Sequence, residues 1–91
     1  MFIVVSYDIS DDRRRTRLHQ TLKNFCTPVQ YSVFECILDE GQLRRMKEVV
    51  GKVIKKDTDL VRYYSLCKSC QRNIEATAHA MVTQSVRTLV I

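Results

Sequence analysis

Phe2-Ile3-Val4-Val5-Ser6-Tyr7-Asp8-Ile9, followed at once by Ser10-Asp11-Asp12-Arg13-Arg14-Arg15-Thr16-Arg17, is the stretch on which the fold turns. The first eight residues are β-type and alternate: Ile3, Val5, Tyr7 and Ile9 share one face, and Phe2, Val4, Ser6 and Asp8 share the other. Asp8 therefore leaves the strand on the side away from the fully apolar face. Ser10 is suited to cap a helix, and Asp11 and Asp12 suit the positive end of its dipole. That helix is predicted to run to about Phe25, burying Leu18, Leu22 and Phe25 at helical spacing. Arg13 and Arg17 then lie opposite the buried stripe, with Arg14 and Arg15 flanking it.

Working outward, Thr27-Pro28 ends the helix, and Val29 to Leu38 reads as a second strand with Pro28 at its first residue. Asp39 with Gln42 three residues on forms a capping-box pattern opening a second helix, whose Leu43, Met46, Val50, Val53 and Ile54 make a buried stripe. Asp57-Thr58-Asp59 turns into a strand from Leu60 to Leu66. Cys67-Lys68-Ser69-Cys70 is read as a tight connection to a short last strand around Arg72 to Thr77. The fold expected is an α+β, ferredoxin-like βαββαβ sandwich, an antiparallel sheet with both helices on one face. Residues 1–78 are assigned to that domain and 79–91 to a C-terminal tail. The tail closes on Thr88-Leu89-Val90-Ile91, whose apolar character predicts a strand added to a sheet edge, that of a second subunit included.

At 91 residues the chain is one domain with a small core, so a partner subunit would add stability. Fifteen Lys and Arg against ten Asp and Glu give a net charge of +5, which favours an anionic partner, nucleic acid before a membrane surface. Phe2 to Val5 is too short for a secretory or membrane segment, and a cytoplasmic location is expected. The four cysteines are then expected as thiols. Cys26 and Cys36 read as core. Cys67 and Cys70 supply half a zinc site, which only a second subunit could complete, because Cys26, Cys36, His19 and His79 have no completing spacing. A thioredoxin-type role is disfavoured because the motif is placed between two strands instead of at a helix start. Tyr31, Phe34, Tyr63 and Tyr64 read first as core or interface and second as base-stacking groups.

Three blocks carry a resemblance: Tyr7-Asp8-Ile9 with Asp11-Asp12 and the arginines; Val29-Gln30-Tyr31-Ser32-Val33-Phe34-Glu35; and Asp59-x-Val61-Arg62-x-Tyr64-x-Leu66. From Met1 to about Ile74 the chain resembles the small CRISPR-associated protein that is the second universal component of the spacer-acquisition machinery. The resemblance implies a prokaryotic homodimer with an exchanged C-terminal strand. It also implies either metal-dependent phosphodiester hydrolysis, on single-stranded RNA or double-stranded DNA, or a bridging role between dimers of the CRISPR integrase. Its metal-binding acid falls on Asp8, its neighbouring aromatic on Tyr7, its helix arginines on Arg15 and Arg17, and its strand aromatic on Phe34. The basic residue common before the second block is Pro28 here, which removes one phosphate-binding cation.

The chemistry agrees with that reading. Metal-assisted hydrolysis needs oxygen ligands for Mg²⁺ or Mn²⁺, an activated water and cations for the developing charge. A single chain offers one well-placed carboxylate, Asp8, and a two-fold dimer would double it. The competing reading is that Asp8 only ends the strand or bonds the start of the helix. Arg13, Arg14, Arg15 and Arg17 are expected to meet phosphates, without sequence readout and with steep salt dependence; the alternative is a solvated face with local pairs to Asp11 and Asp12. An RNA-binding module of the same strand order is disfavoured, because its aromatic signature on the central strands is missing.

Overall fold

The computed structural model describes residues 1–75. Strand β1 (Phe2–Asp8) leads into helix α1 (Asp12–Leu22); β2 (Thr27–Gln30) and β3 (Val33–Ile37) follow; helix α2 (Glu40–Val53), β4 (Leu60–Leu66) and a short α3 (Lys68–Arg72) complete the order. The sheet runs β2-β3-β1-β4, and every neighbouring pair is antiparallel. The βαββαβ sandwich is thus present, but the elements assigned from the sequence run βαβαββ, and two of the strands arise differently.

Val29 to Leu38 is not one strand. Gln30 faces Val33 across a two-residue loop, Tyr31-Ser32, so the segment is a hairpin. Ser32 adopts φ 66°, the left-handed region where Gly or Asn is the usual occupant. No Gly, Asn or Pro marks the turn, and the sequence conceals it. Pro28 sits on the edge strand β2 beside a register shift between Pro28 and Gln30, where a missing N–H does least harm. The predicted strand at Arg72 to Thr77 is also corrected: Lys68–Arg72 is helical, Gln71 N–H donates to the Cys67 carbonyl at 3.0 Å, and no strand is formed up to Glu75. The expected terminal strand lies outside the described residues.

Helix α1 begins one residue later than Ser10 would place it. Asp11 is the N-cap, its carboxylate accepting from the Arg14 N–H at 2.9 Å. The helix ends at Leu22, and Phe25 packs from the turn beyond. Helix α2 starts with the capping box read from the sequence: Asp39 accepts from Gln42 N–H at 2.7 Å, and the Gln42 side chain accepts from Asp39 N–H at 2.9 Å.

Both helices pack on the Ile3, Val5, Tyr7 side of β1, closing a core with Leu18, Leu22, Phe34, Met46 and Val50. Each such buried aliphatic contributes about 1.5–3 kcal/mol. The other sheet face carries no helix from the described residues apart from the Phe2, Val4, Leu66 and Ile74 cluster at one end. Cys26 and Cys36 lie in cross-strand positions at the hairpin's open end and are joined as a disulfide, Cα to Cα 4.3 Å, which corrects the expectation of two core thiols. Their pairing follows from the hairpin, so a reading without the hairpin could not find it.

Candidate functional site

The site is built at the C-terminal end of β1. Strand alternation separates two consecutive residues: Tyr7 turns into the helix-covered side, and Asp8 projects exposed from the open face. Asp8 lies opposite Leu60 of β4, with Ser6 opposite Arg62 beside it. The Asp8 carboxylate makes no hydrogen bond or ion pair with any described residue, and the helix-capping duty it could have had belongs to Asp11. Among the described residues no three His, Cys, Asp or Glu side chains converge. A divalent cation held here by this chain would therefore rest on Asp8, with its other oxygens from water, phosphate or a second carboxylate, a donor set that suits Mg²⁺.

The open face is apolar around that acid. Leu60, opposite Asp8, and Tyr64 further along β4 are each 45 % exposed, and Ile37, 41 % exposed, lies at the far end of the sheet opposite Phe2. Arg62 reaches along the strand to the Tyr64 hydroxyl at 3.4 Å. This is a partly apolar sheet surface with one unpaired carboxylate at its end.

On the covered side Tyr7 organises a pocket. Its hydroxyl is 3.2 Å from His19 Nδ1, and Ser32 at the hairpin tip lines the same pocket. Burial pushes the Tyr7 phenol above its ordinary pKa, and the neighbouring Ser32 and Arg15 oppose that rise only in part. Phe34 underlies the pair, 6.3 Å from the Tyr7 ring and 5.1 Å from the His19 ring, centroid to centroid. The cavity above them, about 250 Å³, is lined also by Arg15, Thr16 and Tyr31. Tyr31 is 86 % exposed at its rim.

Two expectations change here. Phe34 is 0 % exposed, so it cannot touch nucleic acid and instead supports Tyr7 and His19 from beneath. His19 joins the site although the sequence reading gave it no part. Its signal was available: a polar ring next to Leu18 and one turn before Leu22 lies on the buried stripe and requires a partner.

The arginines divide into two pairs. Arg14 is committed to the fold: its Nε donates to Asp59 at 2.7 Å, a second guanidinium N–H donates at 3.2 Å, and Asp11 lies 3.7 Å away. The Asp59 side chain is wholly covered and also accepts from the Lys55 N–H at 2.8 Å, so Arg14, and then that amide, hold its carboxyl below the usual range. Arg15 donates to the Ile9 carbonyl at 3.0 Å and pairs with Asp12, fastening the loop between β1 and α1. Arg13 and Arg17 remain exposed, one helical turn apart on the outer face, without an ion pair among the described residues. Asp59 is 45 residues from Arg14, and nothing local in either segment announces the contact.

A cysteine pair ends β4. Cys67 and Cys70 are exposed free thiols, placed at the cap and in the first turn of α3. The reason for which a redox role was disfavoured, a position between two strands, does not hold in the structure.

The fold is that of a small α+β protein of the antiparallel, ferredoxin-like βαββαβ class. Residues 1–74 match the family model described as CRISPR associated protein Cas2, and the chain belongs to that family. It is 46 % identical over 66 residues to a CRISPR-associated endoribonuclease Cas2 of Chloroflexus aurantiacus, covering 72 % of this chain and 71 % of that protein. A second Cas2 endoribonuclease of the same organism is 40 % identical over 76 residues, covering 82 % of each. Among solved structures, Streptococcus pyogenes Cas2 superposes with a TM-score of 0.76 at 28 % identity, over 86 % of this chain and all of that one. The hypothetical protein TT1823 from Thermus thermophilus gives a TM-score of 0.79 at 32 % identity, over 89 % and 94 %. No helix among the described residues is long and apolar enough to cross a membrane.

Proposed function

We propose that this chain acts in CRISPR spacer acquisition as a homodimeric, divalent-cation-dependent endonuclease that cleaves phosphodiesters of single-stranded RNA or double-stranded DNA. The observation that carries this reading is the unpartnered Asp8 carboxylate on the open, partly apolar face of the sheet. A second copy packed on that face at the Asp8 end covers Leu60 and Tyr64 and gives the site a second Asp8 across the two-fold axis. Mg²⁺, or Mn²⁺ in its place, would be held by the paired acids, where it would supply positive charge for the phosphodiester and lower the pKa of a bound water. The chain's own part is to present the Asp8 carboxylates on the open face, while Arg13 and Arg17 add contacts to the nucleic-acid backbone on the outer surface of α1. The endoribonuclease names carried by the Chloroflexus relatives support the activity.

One observation favours a second role in the same dimer, a bridge that clamps duplex DNA between dimers of the CRISPR integrase. Arg13 and Arg17 stand on the outer face of α1, whereas Asp8 stands on the opposite side of the sheet, so phosphate can be bound on a surface separate from the acid. Such binding carries no sequence information.

The deciding experiment assays cleavage and binding of single-stranded RNA and duplex DNA with Mg²⁺, Mn²⁺ or EDTA, beside Asp8→Ala. Cleavage that needs both the cation and Asp8 is expected. Cleavage retained by Asp8→Ala would sink the nuclease reading, and tight duplex binding without any cleavage would leave the bridge as the function.

A further inference from the structure

We infer that Cys67 and Cys70 form a dithiol site that exchanges with acidic small-molecule disulfides of the glutathione class, Cys67 attacking and Cys70 resolving. Both thiols are free and exposed, in contrast to Cys36, which is buried and bonded to Cys26. They stand one turn apart in backbone closed by Gln71 N–H to the Cys67 carbonyl at 3.0 Å. Positions three apart on a helix bring Cβ atoms to about 5–6 Å, a small movement from the roughly 3.5–4.5 Å that a disulfide spans.

The two sulfurs are not equivalent. Cys67 lines a cavity and Cys70 does not; the neighbouring Cys70 amide holds the Cys67 thiol below the ordinary thiol range, whereas the proximity of Cys67 pushes Cys70 up. The lower member is the better supplied with thiolate. The cavity that Cys67 borders is about 630 Å³, and its walls include Phe2, Ile37 and Leu66, with Lys68 at the edge. That gives room for a small disulfide and a cation for its carboxylates.

The exchange balances without another reagent. The Cys67 thiolate attacks one sulfur of the disulfide, forming a mixed disulfide and releasing one small thiolate, which takes up a proton. The Cys70 thiol loses its proton and attacks the Cys67 sulfur, closing the Cys67–Cys70 bond and releasing the second small thiol. The protein loses two electrons and two hydrogens, and the small disulfide gains them.

The test treats the reduced full chain with oxidised glutathione and follows it by intact mass and peptide mapping, which keeps Cys26 and Cys36 separate. The wild-type protein is expected to end with a Cys67–Cys70 bond and no adduct. Cys70→Ser should stall as a glutathione adduct on Cys67, and Cys67→Ser should react several-fold more slowly at Cys70. Stable adducts on both wild-type thiols, equal rates for the two variants, or zinc retained by the pair and blocking exchange would each overturn the inference.

Discussion

Asp8 and Asp59 are both strand-end aspartates of one small sheet, yet one faces solvent unpartnered and the other is fixed beneath Arg14. Their chemistry differs accordingly. Asp59 has its carboxyl lowered by Arg14 and the Lys55 amide. A carboxyl lowered on folding stabilises the protein above its unfolded value, about pH 3.9, and that contribution is lost as the pH falls through the folded value. Thermal unfolding followed from neutral to acid pH should therefore show Asp59→Asn less stable than wild type at neutral pH, with the difference shrinking in acid. A constant difference would deny the ion pair its role. The arginines separate in the same manner. Arg13→Ala and Arg17→Ala should each reduce the slope of log affinity against log salt by about 1 while leaving the melting temperature unchanged. Arg14→Ala should lower the melting temperature and leave the slope alone. Sequence spacing sufficed to put Arg13 and Arg17 on the outer face, because helical periodicity is local. It could not show that Arg14 is engaged, because the partner is 45 residues away.

At the scale of elements, the sequence was most legible where local chemistry is explicit. The capping box of α2 was read residue by residue because Asp39 and Gln42 satisfy each other's amides within one turn. The β2–β3 hairpin was hidden because its loop carries Tyr31 and Ser32, and Ser32 enters the left-handed region without the residue types that advertise it. A tertiary bond holds it there: the Ser32 carbonyl accepts from Tyr7 N–H at 3.1 Å. Ser32→Val forces a β-branched residue into that conformation and should destabilise the fold by about 1–3 kcal/mol. On a domain of this size that is a drop of roughly 4–8 °C in melting temperature per kcal/mol, measured by calorimetry. An unchanged melting temperature would mean that the loop relaxes freely. Missing the hairpin also hid the Cys26–Cys36 pairing, and expecting a last strand hid α3, although Cys67 to Arg72 contains no strand-favouring run.

For the whole molecule, the family and the sandwich were both legible, because alternation in β1, periodicity in the two helices and three sequence blocks agree on one topology. The proposed dimer enters as a requirement: among the described residues one chain brings one free carboxylate, Asp8, to the open face, and the surface around it is partly apolar. The claim that two chains complete the site is therefore central, and it predicts that association and cleavage fail together. Sedimentation equilibrium of the wild-type chain and of a Leu60→Lys, Tyr64→Lys double variant, each assayed in parallel for Mg²⁺-dependent cleavage, tests it most directly. The account predicts a wild-type mass of two chains with cleavage, and a folded variant with the mass of one chain and no cleavage. A wild-type monomer that cleaves, or a monomeric variant that keeps cation-dependent cleavage, would contradict it.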